Sequence, residues 1–252
     1  MVQWVAAWVV LPTWAATAQA QMALSAAINV SGSFRALSQR MAKAYCQQHL
    51  QVMPLAALDV LAKVRKQAQA GAADLAKGST AGAWPADLSR QLEEVQKQYT
   101  VLNTLTATAP SKASAAAVAE QADRMMTAAQ TATESLEKLA RAPSAKLVGM
   151  AGRQRMLSQR MAKNYFLVAA KADSKLVLAQ LAADANDFRQ AMQSLVATPV
   201  STPAIRGELE LAASQWVFFE SALRRPADVQ GMSAVATTSE RLLGVMDKLT
   251  GL

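Results

Sequence analysis

Cysteine and histidine each occur once in the 252 residues, as Cys46 and His49. A single cysteine excludes an intramolecular disulfide, and the two residues are too small a set for a Cys/His metal site. Aromatic residues make up 5% of the chain, glycine numbers 10 and proline 8. So few breakers and rings, against abundant Ala, Leu, Gln and Met, favour long helices over sheets. Past the first residues no apolar run is long enough to span a bilayer. Also missing are a nucleophile–base pair, paired carboxylates beside a motif and a phosphate-cradling glycine loop, so the chain reads as no enzyme. No cofactor is implied.

Basic residues outnumber acidic ones, giving a formal net charge of +8. A basic surface serves nucleic acid, acidic lipids or small anions. The cations are dispersed rather than gathered in a block, which argues against nucleic acid. Residues 1–20, "MVQWVAAWVVLPTWAATAQA", are uncharged, apolar through Leu11 and broken at Pro12. They end in Ala18-Gln19-Ala20, a small-x-small pattern that reads as a secretory signal cut before Gln21 and predicts export to the periplasm. The segment lacks a positive leading region, which keeps an uncleaved N-terminal anchor as the alternative.

The chain is written twice. Shifted by 120 residues, "GSFRALSQRMAKAY" (32–45) lies on "GRQRMLSQRMAKNY" (152–165), identical at ten of fourteen positions. At a shift of 117, "QLEEVQKQYTVL" (91–102) answers "ELELAASQWVFF" (208–219), with Tyr99 opposite Trp216, and "AVAEQADRMM" (117–126) answers "AVATTSERLL" (234–243). Three matches in one order indicate a tandem duplication. Each unit reads as four helices, near 22–50, 54–77, 85–107 and 113–140, then 144–171, 174–198, 203–224 and 230–250. Pro54, "GSTAGAWPAD", "TAPSKAS", "TPVSTP" and "RRPADVQG" supply breaks, and Asp87, Ser174 and Thr202 are candidate N-caps. The stripe Leu88, Leu92, Val95, Tyr99 and Leu102 suits a bundle. The predicted fold is therefore all-α: two tandem antiparallel four-helix bundles, 21–140 and 141–252, related by a pseudo-twofold. Only Pro143 interrupts the join, so the fourth helix runs almost directly into the fifth.

On a helix, Gly32, Arg35, Gln39 and Lys43 share about one third of the circumference, opposite Leu37, Met41 and Tyr45. Gly152, Arg155, Gln159 and Lys163 repeat the pattern. Read plainly, such a face is solvated and pairs with carboxylates of a neighbouring helix; Glu93, Glu94, Glu208 and Glu210 are candidates or simply exposed charges. A mid-helix glycine costs up to about 1 kcal/mol relative to alanine, so its return is close approach of backbone or ligand. If the two motif helices meet, Arg35 and Arg155 face one another and repel unless an anion sits between them; a planar oxyanion suits the guanidinium fork. The methionines read as core fillers. Tyr45, Tyr99, Tyr165 and Trp216 read as packing anchors whose polar tips find partners.

"INVSGSFRALSQRMAK" and "VGMAGRQRMLSQRMAK" resemble the signature of PilJ-type, NarX-like sensor domains, the periplasmic four-helix modules of nitrate/nitrite sensor kinases and type IV pili chemotaxis transducers. The resemblance implies that Arg35 and Arg155 clasp one nitrate or nitrite, with Gly32 and Gly152 where ligand and backbone come close. In the family the two halves of the site come from two subunits; here one chain carries both, so the expected site is either internal to the chain or formed in a homodimer. The resemblance further implies a membrane-bound sensor kinase or chemotaxis transducer as signalling partner. The resulting expectation is a periplasmic oxyanion sensor, with a ligand-free helical adaptor for another periplasmic or inner-membrane protein as the alternative.

Overall fold

The computed structural model of the chain describes residues 13–80, 84–141, 143–171, 174–198 and 202–251. These residues form eight α-helices and no strand: α1 (Thr13–His49), α2 (Pro54–Thr80), α3 (Ala86–Leu105), α4 (Lys112–Ala140), α5 (Pro143–Ala169), α6 (Ser174–Val196), α7 (Pro203–Leu223) and α8 (Val229–Gly251). The fold is an all-α helical bundle, as the composition and periodicity predict.

The helix ends follow local chemistry, with two departures. Thr202 caps α7, its side chain accepting from the Ile205 N–H, with proline next in line. Asp87 does not cap α3. Pro85 occupies the N-cap position, with no side-chain bond, and Asp87 lies in the first turn, where its charge opposes the positive helix end. The residues before Ser174 lie outside the described set. α1 starts at Thr13 rather than near 22, so the helix runs through the Ala18–Ala20 cleavage pattern; residues 1–12 of the expected signal lie outside the described residues. α4 and α5 are not one rod. Arg141 takes a left-handed φ of 51° and its N–H returns to the Glu137 carbonyl, which ends α4 before Pro143 opens α5.

α1 packs against α2, α4 and α5, with α3 laid on α4; α5 packs against α6 and α8, with α7 laid on α8. The α1–α5 contact is the long seam of the molecule. Many buried positions on the two helices are small or flexible: Met41, Ala42, Ala44, Cys46, Met161 and Ala162 are fully buried. Burying a methionine side chain contributes about 1.5–3 kcal/mol. Farther out, Trp216 stacks on Phe188 at 4.3 Å between centroids and meets Phe219 edge-on at 6.1 Å. Of the tyrosine tips, Tyr45 Oη bonds the carbonyls of Thr108 and Ala109 and the Ser114 hydroxyl, and Tyr165 Oη donates to the Pro226 carbonyl. The Tyr99 hydroxyl, in contrast, is buried without a partner. Among the described residues no helix is long and apolar enough to cross a membrane.

Candidate functional site

The polar face of the motif helix is not solvated. Arg35, Gln39 and Lys43 on α1 are 2%, 0% and 0% exposed, and Arg155, Gln159 and Lys163 on α5 are 5%, 0% and 2% exposed. The face is buried because α4 and α8 cover it from either side. Ser31 and Thr133 share a hydrogen bond, Arg35 reaches Gln130 and Gln39 reaches Asp123, so α4 runs antiparallel to α1. Arg160 meets Met126 and Lys163 meets Asp123, so α4 is antiparallel to α5 also. α1 and α5 therefore lie side by side in the same direction, with their two motifs level.

Long helical side chains lean toward the N-terminus of their own helix. Arg35 accordingly points back up the seam. Its Nη2 donates to the Gly149 carbonyl of α5 at 3.2 Å, its Nε to the Gly32 carbonyl at 3.2 Å and its Nη1 to Gln130 Oε1 at 2.6 Å. Arg155 makes the reciprocal reach: Nη2 to Asn29 Oδ1 at 2.8 Å and Nη1 to Asp247 Oδ1 at 3.1 Å. Asn29 stands 120 residues before Gly149, and Gln130 stands 117 before Asp247, the two shifts of the internal repeat.

The glycines make this geometry. A Cβ on Gly32 would sit 2.8 Å from Arg35 Nη2, and one on Gly152 would sit 2.9 Å from Arg35 Nη2 and 3.3 Å from Arg155 Nη2. The two guanidiniums therefore converge over Gly152, separated by no more than the sum of those last two distances. All four residues expected from the motif come together within one chain. Gly149, which the motif does not include, is as constrained: a Cβ there would fall 1.8 Å from Glu137 Oε1.

Two cations converge at this point, with Glu137 and Asp247 as the nearby carboxylates. Arg35 is bonded only to neutral acceptors, and among the described residues no carboxylate lies within ion-pair distance of it. Burial pulls its pKa down to about 10; Glu137 opposes that and the nearby Arg155 charge adds to it. The Glu137 carboxyl is itself raised by burial, with Arg35 opposing. Arg155 is paired with Asp247, yet its buried Nε has no partner. Two cations held together with a spare donor form an arrangement that a small anion would relieve.

Two turns onward the lysines tie the halves crosswise. Lys43 Nζ of α1 reaches Glu240 Oε1 of α8 at 2.5 Å and Ser239 Oγ at 3.1 Å, while Arg40 forks onto the same carboxylate. Lys163 Nζ of α5 reaches Asp123 Oδ1 of α4 at 2.6 Å. Asp123 and Glu240 are counterparts at the 117-residue shift, so each half's lysine is neutralised by the other half's last helix. Burial on its own would raise Glu240, but Lys43 and Arg40 hold its carboxyl down at about 2. The correspondence between repeats does not extend to the flanking arginines, since Arg160 forks onto Asp184 of α6, which is fully buried.

The acidic partners are thus Asp123, Asp184, Glu240 and Asp247, not the candidates Glu93, Glu94, Glu208 and Glu210. The aligned pair "EQADRMM" and "TTSERLL" carried the signal for Asp123 and Glu240, as the one position in those strings acidic in both copies and followed by arginine. Cys46 is buried on α1 and its thiol is pushed up to about 12 by burial, against the Lys163 charge. Among the described residues no three His, Cys, Asp or Glu side chains gather as a metal site.

The profile of the PilJ family, described as the type IV pili methyl-accepting chemotaxis transducer N-terminal domain, matches residues 16–133 and again residues 138–242. No curated protein and no solved structure matches the chain.

Proposed function

Because the chain belongs to the PilJ family of type IV pili methyl-accepting chemotaxis transducer N-terminal domains, we propose that it is a periplasmic sensor-type protein that binds one small planar oxyanion, of the nitrate or nitrite kind, between Arg35 and Arg155. The family is one of sensory transducers rather than of enzymes. In this reading residues 21–140 and 141–252 are two PilJ-type, NarX-like bundles related by a pseudo-twofold along the α1–α5 seam, a dimeric sensor fused into one chain. The single observation that carries it is the convergence of two buried guanidiniums over Gly152, with no carboxylate on Arg35.

The mechanism is electrostatic. Without an anion the two cations repel across the seam; with one, each donates into the same oxygens and the motif helices close. A ligand shifts such an equilibrium only through its different affinity for the two helix arrangements. The lysine–carboxylate ties two turns further on carry that change to α4 and α8, and so to a membrane-bound kinase or transducer partner. Isothermal titration with nitrate and nitrite, using chloride and sulfate as controls, tests this. One site per chain, lost in both Arg35→Ala and Arg155→Ala, is the expected result; one site per two chains moves the site to a homodimer, and unchanged affinity in both variants removes it. A second reading, a ligand-free adaptor, is favoured by Val217 and Phe218 of α7, apolar side chains 62% and 61% exposed on one helix. Co-purification of a partner that ignores both arginines would support it.

A further inference from the structure

The polar seam opens on one side into a cleft that shares Arg155 with the oxyanion clasp but extends away from Arg35. α2 and α8 flank α1 without packing on each other, and between them lies a space of about 370 Å³. It is far larger than a nitrate requires: at about 30 Å³ per water it holds on the order of ten. Its lining contains the guanidinium-bearing Arg155, together with Asn29 and Ser33 of α1; Arg35 is not part of it.

The charges of the cleft have both signs. Arg155 lines it, paired with Asp247 of α8, whose side chain is 46% exposed. Asp74 of α2, exposed and ion-paired with Lys77, also lines the cleft. The other guanidinium of the lining, Arg40, is consumed by its two-pronged bond to Glu240. A simple anion approaching Arg155 from this side meets two carboxylates. A simple cation approaching the carboxylates meets two guanidiniums. A molecule carrying both charges a few ångströms apart satisfies each in turn: its carboxylate takes the donors of Arg155, and its ammonium takes the carboxylate that Arg155 gives up. Val30, Leu37 and Leu243 provide an apolar wall for the remainder of such a molecule.

We infer that the α2/α8 cleft is a binding site for a small zwitterion, a free α-amino acid with a compact apolar side chain, whose carboxylate is held by Arg155 and whose ammonium is held by Asp247. The site shares Arg155 with the proposed oxyanion clasp but not Arg35, and it requires no bound oxyanion. Pocket composition agrees with the general pattern, a mainly apolar concavity with a few convergent polar groups that fix orientation.

The test is isothermal titration of the full chain with L-valine, and separately with isovalerate and isobutylamine, which carry only one of its two charges. The expected result is saturable binding of valine at one site per chain, with both half-molecules weaker by roughly tenfold or more, as for any site that pairs two desolvated charges. Asp247→Asn also removes the carboxylate paired with buried Arg155, so it is compared at confirmed native helical content, where it weakens valine by a similar factor, whereas Arg35→Ala leaves it within about twofold. Silence with valine, leucine and alanine on protein of intact helical content overturns the inference. So does an Asp247→Asn variant that binds valine as the parent does, or isovalerate binding as well as valine. Nitrate titrated into the same samples separates the two readings: valine without nitrate removes the oxyanion clasp alone, and nitrate without valine removes this site alone.

Discussion

Replacing Glu240 by Gln keeps the shape of the side chain and removes its charge, leaving the Lys43 ammonium fully buried with only neutral acceptors. The magnitude can be worked from the structure. Lys43 and Arg40 hold the Glu240 carboxyl at about 2, against an ordinary 4.5, and that difference corresponds to about 3 kcal/mol of folding free energy. Breaking a buried pair by removing one partner costs about 3–5 kcal/mol in other proteins, a concordant figure. In a chain of this size about 3 kcal/mol lowers Tm by about 6–12 °C. Urea unfolding, followed by tryptophan fluorescence and helical circular dichroism, measures the loss. Glu120→Gln is the control, because its pair with Arg124 has side chains 70% and 53% exposed, where a surface bridge contributes under about 1 kcal/mol. Adding Lys43→Met to Glu240→Gln removes the stranded charge and restores at least half the loss. Acid gives the same answer independently. The folded carboxyl lies below its unfolded value, so the unfolded chain takes up the proton first. Its contribution is complete above about pH 4.5 and is lost as pH falls toward about 2; Glu240→Gln flattens the curve in that window. A Glu240→Gln variant no less stable than Glu120→Gln would refute the reasoning.

Gly152→Ala places a methyl group against both guanidiniums; oxyanion heat falls tenfold or more, while stability changes by no more than about 1 kcal/mol because alanine favours the helix. Gly244→Ala, with nothing within 4 Å of the added carbon, raises urea stability by up to about 1 kcal/mol. The Cys46 thiol, buried and pushed up to about 12, stays unreactive toward an aromatic disulfide reagent at mildly alkaline pH and reacts at once in denaturant; fast native labelling would contradict its placement. Tyr45→Phe, which severs bonds to Ser114 and to the Thr108 and Ala109 carbonyls, costs about 1 kcal/mol in urea. Tyr99→Phe, which removes a buried hydroxyl without a partner, is neutral or stabilising by about 1 kcal/mol.

Much of the architecture was legible because helical patterning is local. The stripe from Leu88 to Leu102 is buried at every position, and Thr202 caps α7 through a bond that spans three residues. Asp87 misled because any early acidic residue looks like a cap, while Pro85 at the N-cap position decided where α3 begins. The start of α1 was misplaced because a small-x-small signal pattern of alanines is also a good helix. Within the site, Gly32, Arg35, Gly152 and Arg155 were visible as repeated residues on one helical face. Their partners were not, because Gly149, Asn29, Gln130 and Asp247 come from other turns and other helices.

Sequence alone determined that this chain is helical, duplicated and armed with two copies of one cationic motif, since periodicity, breakers and repeats are properties of neighbouring residues. It could not determine whether those cations meet water, carboxylates or each other. Only the tertiary structure decided that, by laying α1 and α5 side by side in the same direction and roofing them with α4 and α8. Burial removed the solvent that would have made the face ordinary, and the crossed pairing of Lys43 with Glu240 and Lys163 with Asp123 left the two arginines as the cations that converge.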